Sequence, residues 1–130
     1  MAALMVNRLG RFFILWSPVI GCMGVIFYAS CLPGKDIPSL FAYQDILFHG
    51  SIYAILGLFF YRALKNTDIR LIRLQLIIFT IVFGFVYGAT DEFHQLFTSG
   101  RSCSGFDLMV DTIGSSVGGL IGNLLHKWLK

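Results

Sequence analysis

Residues 90–101 read TDEFHQLFTSGR and place Asp91, Glu92, His94 and Gln95 within little more than one helical turn, with Arg101 shortly after. Carboxylates and imidazoles transfer protons or ligate cations, and a guanidinium grips phosphate or carboxylate with a planar fork. Two further sets of the same types recur. Asp45, His49 and Tyr53 stand at four-residue steps, as do Asp107 and Asp111, so each set shares one helical face. The oxygens of Asp91, Glu92 and Asp111 and the nitrogens of His49 and His94 are suitable ligands for zinc or a harder divalent cation, which makes such an ion the one cofactor the residues suggest.

These polar residues sit in an apolar chain. Of 130 residues, 56% are hydrophobic and only 13% charged, against roughly a quarter charged in soluble domains. The mean hydropathy is +0.75. Such a composition points to a membrane protein, and the formal charge of +3 is too small to argue for a nucleic-acid partner. Four apolar runs, at 12–29, 45–64, 72–97 and 106–128, reach the roughly 17–25 residues that span a bilayer as a helix and far exceed a buried strand. The expected fold is therefore all-α, a single polytopic domain over 1–130 built as a four-transmembrane-helix bundle.

Lysines and arginines set the orientation. With the N-terminus cytoplasmic, Arg8, Arg11, Arg62, Lys65, Arg70, Arg73, Lys127 and Lys130 lie inside, and only Lys35 and Arg101 lie outside. That bias predicts both ends inside. Arg8 and Arg11 before an apolar run ending in YASC faintly resemble a lipoprotein signal. The run is longer than a signal core of roughly 7–15 residues and Tyr28 suits it poorly, so the helix is expected to be retained. Cys22 reads as a packing residue. Cys31 and Cys103 fall on the outer side, where oxidation can occur, but no spacing brings them within bonding distance.

The helices must bring the polar sets together. Gly84, Gly88, Asp91 and Gln95 form one stripe, Asp107, Asp111, Gly114, Gly118 and Gly122 a second, and Asp45, His49, Tyr53 and Gly57 a third. Glycine stripes let backbones approach closely in lipid, so three such faces would gather their acidic outer ends. Ser104 and Asp107 read as a capping box opening helix four. Asp45 and Asp107, near helix N-termini, are favourably placed as plain anions. Asp91 and Glu92 lie near a helix C-terminus, where the dipole disfavours them. They need a ligand or a positive partner, and Arg101 is the nearest candidate for a structural clasp.

The segments DILFHGSIYAILG (45–57) and YGATDEFHQLFTSGRSCSGFDLMVDTIGSSVGG (87–119) resemble the two polar blocks of the VanZ-like family of small bacterial membrane proteins. The first matches Asp-x3-His-x3-Tyr. The second matches acidic-x2-Gln, then Gly-Arg-Ser, then Asp-x3-[Asp/Asn]-x2-Gly. SCLPG after helix one is similar to that family's Ser-x-x-Pro turn. The resemblance implies a multi-pass protein of the bacterial inner membrane and a link to lowered susceptibility to lipoglycopeptides such as teicoplanin.

The expected function is binding, or modification, of an amphipathic envelope molecule at the outer leaflet, a lipid-linked wall precursor or a lipoglycopeptide, with membrane lipids as the surrounding partners. Asp91, Glu92, His94, Gln95 and Arg101 would hold the head group, with Asp45, His49, Tyr53, Asp107 and Asp111 beside it. A membrane-embedded, metal-assisted hydrolase or transferase is the alternative. Six outer acids against Lys35 and Arg101 leave a net charge of −4 that attracts cations, although no catalytic signature such as His-Glu-x-x-His is present. A structural or chaperone-like membrane partner is the third reading. Whether the chain is an enzyme, and whether it forms a homo-oligomer, stay open.

Overall fold

The computed structural model describes residues 2–126: four α-helices and one 3-10 turn, with no strand among the described residues. α1 runs Ala2–Cys31, α2 Gln44–Lys65, α3 Arg73–Gln95 and α4 Gly105–Leu124, and the 3-10 turn, Gly34–Asp36, lies between α1 and α2. The all-α expectation holds. Three spans, Asn7–Cys31, Gln44–Lys65 and Arg73–Gln95, are long and apolar enough to cross a membrane. α4 is not among them, because its inward face is glycine, serine and Asp111 rather than aliphatic residues.

The boundaries differ from expectation where local bonding decides them. α1 begins at Ala2 rather than 12, because the helix continues through Arg8 and Arg11 beyond the length a bilayer requires. α3 stops at Gln95 rather than 97. There Leu96, Phe97 and Thr98 each donate their N–H three residues back, to Phe93, His94 and Gln95, and tighten into turns. α4 ends at Leu124, and the remainder of its expected span, with Lys127, Trp128 and Lys130, lies outside the described residues. α2 opens after Tyr43, whose φ of 66° turns the chain, and Gln44 staples the approach by accepting from Leu40 N–H and donating to the Pro38 carbonyl.

α4 packs between α2 and α3, while α1 lies against α2 and α3 and, among the described residues, makes no close approach to α4. Missing side chains permit the α2–α4 approach. A Cβ on Gly118 would collide with the Ala54 carbonyl, and one on Gly114 with the Gly50 carbonyl. On the α3 side a Cβ on Gly84 would strike Ser115. α1 contributes the more ordinary apolar seam: Leu15, Val19 and Ile26 are buried in one cluster with Tyr53, Leu56 and Ala63. Tyr87 ties α3 to α1 by donating to the Met23 carbonyl at 2.7 Å.

The distribution of polarity is inverted relative to a soluble bundle. Thr80, Asp111 and Ser115 are wholly buried, whereas Ile14 is 65% and Phe97 75% exposed, with many other large apolar side chains outward. An apolar exterior of this extent suits lipid rather than water. Charge divides between the two ends. The start of α1 and the α2–α3 turn carry Arg8, Arg11, Arg62, Lys65, Arg70 and Arg73, joined where Arg11 donates to the Asn66 carbonyl at 2.6 Å. The opposite end carries six acids with Lys35 and Arg101, and is tied together by Gly34 N–H to the Ser99 carbonyl and by the Thr98 hydroxyl to the Ser30 carbonyl.

Candidate functional site

At the acidic end the glycine-lined approach of α2, α3 and α4 brings four titratable side chains into one cluster. One ligand-type atom from each of His49, Asp91, Glu92 and Asp111 lies within 4.8 Å of the other three. Asp111 is wholly buried. Its Oδ1 meets His49 Nδ1 at 2.8 Å, whereas its Oδ2 has no hydrogen-bond partner among the described residues. The space for that carboxylate exists because residue 88 is glycine: a Cβ there would stand 3.2 Å from Asp111 Oδ2.

Asp91 and Glu92 are held by neutral donors. Gln95 Nε2 lies 3.2 Å from Asp91 Oδ2 and 3.5 Å from Glu92 Oε1. Glu92 Oε2 accepts the Ser104 backbone N–H at 2.6 Å. The expected capping box is thereby half formed. Ser104 Oγ accepts from Asp107 N–H at 3.2 Å, while the reciprocal donor goes across to α3, to the buried Glu92 carboxylate rather than to the half-exposed Asp107 side chain.

Above the cluster opens a polar cleft of about 270 Å³, lined by Gln44, Asp45, His49, Gln95, Arg101 and Asp107, with Ser39 and Ser102. Beside it, sharing Gln44, Asp45, His49 and Arg101, runs a larger and mostly apolar groove of about 620 Å³ between the α1–α2 connection and α2, formed by Leu40, Phe41, Leu47, Phe48, Ile52 and Ile55 among others. Tyr53 sits one turn below His49, fully buried, with its hydroxyl unpartnered among the described residues.

The residues singled out from sequence thus separate into layers. His49, Asp91, Glu92, Gln95 and Asp111 form the buried cluster, Asp45, Arg101 and Asp107 line the cleft above it, and Tyr53 lies beneath. His94 goes elsewhere: it contacts Ser30 Oγ at 3.2 Å and lies over the Phe27 ring on α1. It stands off the Asp91–Gln95 stripe, so its side chain turns to the neighbouring helix. The Arg101 clasp is also not formed, since among the described residues the one ion-pair contact is His49–Asp111. Cys22, Cys31 and Cys103 are all free thiols. Gln44, Ser39 and the Ser104 N–H were not anticipated; a backbone donor and a loop serine carry no pattern that would announce them.

An all-helical bundle with an apolar exterior, a glycine-sealed interior and a carboxylate–imidazole cluster at one end defines a membrane protein with a polar site. The chain belongs to the VanZ/LLP1 family, whose model matches residues 15–126. No curated protein and no solved structure matches it.

Proposed function

We propose that this is a multi-pass protein of the bacterial inner membrane that binds an amphipathic envelope molecule at the outer leaflet, either a lipid-linked wall precursor or a lipoglycopeptide. All four helices cross the bilayer in a single domain, and both ends are cytoplasmic. The positive-inside distribution of Lys and Arg supports that orientation. α4 reaches the required depth because α2 and α3 shield its glycines, Ser115 and Asp111 from lipid.

The observation that carries the reading is the shared rim of the two cavities. A polar cleft opens directly onto an apolar groove, with Gln44, Asp45, His49 and Arg101 at the junction. That is the complement of a molecule with a polar head and an apolar tail, since binding sites pair apolar walls with a few convergent polar groups. Arg101 is the one basic side chain on the polar lining besides His49 and makes no ion pair among the described residues, so its guanidinium is available to an anionic head group. The association of VanZ membership with glycopeptide resistance fits a role at the wall-precursor level.

Native mass spectrometry of protein extracted gently from its own membrane tests this. A stoichiometric lipid-linked precursor that is retained by the wild type and lost on Arg101→Ala is expected. Bulk phospholipid alone, held equally by both proteins, together with no binding of added teicoplanin, would reject it.

A further inference from the structure

We propose that His49, Asp91, Glu92 and Asp111 hold a single divalent metal ion at the floor of the cleft. The inference concerns the buried cluster alone and does not depend on which molecule occupies the cleft above it.

The first observation is convergence. Three carboxylates and an imidazole, drawn from α2, α3 and α4, present one ligand-type atom each within a 4.8 Å span. Donors facing each other across an oxygen-ligated ion with bonds of about 2.3–2.6 Å lie roughly 4.6–5.2 Å apart, and zinc with bonds of about 2.0–2.2 Å draws them closer. The span therefore encloses one ion and leaves no room for two.

The second observation is independent of the clustering. Asp111 is wholly buried and its Oδ2 has no partner among the described residues, although its other oxygen is engaged by His49. A buried carboxylate oxygen without a donor is costly, and Gly88 preserves the space beside it. Charge points the same way. Three carboxylates this close in an apolar surround require positive compensation, and Arg101 makes no ion pair with any of them. A divalent cation supplies both the missing partner of Asp111 and the missing charge.

The supporting groups fit ligands rather than a self-contained hydrogen-bond network. Gln95 Nε2 and the Ser104 N–H orient Asp91 and Glu92, and each carboxylate oxygen has a second lone pair to offer. Outer bonds of this kind fix the direction of first-contact ligands around metals. A set of three carboxylates and one imidazole suits a hard-to-borderline ion such as Mn²⁺ or Zn²⁺.

The test uses the full chain in detergent, stripped with chelator and then equilibrated separately with Mn²⁺, Zn²⁺, Mg²⁺ and Ca²⁺. Elemental analysis should find one ion of at least one of these metals per chain, and that metal should raise the melting temperature, as any ligand of the folded state does. Asp111→Asn and His49→Gln should each weaken the metal's affinity by about tenfold or more, whereas His94→Gln should bind like the wild type. If Asp111→Asn does not fold, the stoichiometry and thermal shift of the wild type and the His49→Gln affinity decide the matter. Failure of all four ions to bind or to shift melting overturns the site, as does equal binding to wild type and His49→Gln. Because no lipid or antibiotic enters this experiment, its failure leaves the envelope-ligand reading to be judged separately.

Discussion

The backbone N–H of Ser104, the residue that caps α4, donates to Glu92 Oε2 near the end of α3 at 2.6 Å. A carboxylate disfavoured by its own helix's C-terminal dipole is thus matched to the N-terminus of the next helix, where the dipole favours negative charge. The tight turn between α3 and α4 makes this possible: Gly100, at φ 74°, supplies the left-handed residue, and Arg101 N–H closes back on the Thr98 carbonyl.

Glu92→Ala should therefore cost about 1–3 kcal/mol, since the half-buried Ser104 donor loses its acceptor. Glu92→Gln keeps a neutral acceptor oxygen and should retain most of the stability when both variants are unfolded in chelator. Equal melting of Glu92→Ala and wild type would show that the interhelical bond contributes nothing.

The small-residue stripe makes a packing prediction. A Cβ at Gly118 meets the backbone of Ala54 and Leu58, which cannot rotate away. Gly118→Ala should force α2 and α4 apart and cost at least the usual 1–3 kcal/mol of overpacking, seen as a lower melting temperature in detergent. Gly24→Ala on α1 meets no atom within 4 Å and should be close to neutral.

Much of this was legible in the sequence because membrane packing leaves few choices. The lengths of the apolar runs gave the four helices, and the alternating four- and three-residue steps of Gly84, Gly88, Asp91 and Gln95 gave a face that is buried throughout. The depth of Asp111 below Asp107 was also readable, one being wholly buried and the other half-exposed. What was hidden depends on tertiary direction. His94 has the right type to join the cluster, but its position off the stripe sends it to Ser30. The apolar groove depends on how the 3-10 turn and the Pro38–Gln44 staple lay Leu40 and Phe41 against α2, which no residue pattern specifies.

Topology can be tested with the chain's own thiols. Cys31 and Cys103 are free and exposed, and Cys22 is half-buried within α1. In intact spheroplasts a membrane-impermeant maleimide should label Cys103 and Cys31 and spare Cys22, while a reporter fused after Lys130 should be active only in the cytoplasm. Labelling of Cys103 only after lysis would invert the orientation and move the cleft to the inner leaflet.

Arg101 separates a structural role from a binding one. It lines both the polar cleft and the apolar groove and forms no ion pair among the described residues. Arg101→Ala should then change stability by no more than about 0.5 kcal/mol, as for other substitutions away from a paired charge. Its ligand affinity should fall about tenfold or more, the effect of losing charge-assisted hydrogen bonds of about 1.5–3 kcal/mol. Arg101→Lys keeps the charge without the bidentate fork and should be nearly as defective. The checks are melting in detergent and teicoplanin susceptibility of cells expressing each variant. A different pattern would restore the clasp: Arg101→Ala strongly destabilised, with Asp91→Asn recovering both stability and susceptibility phenotype in the double variant, because removing the second charge relieves an unpaired carboxylate only if the two were partners.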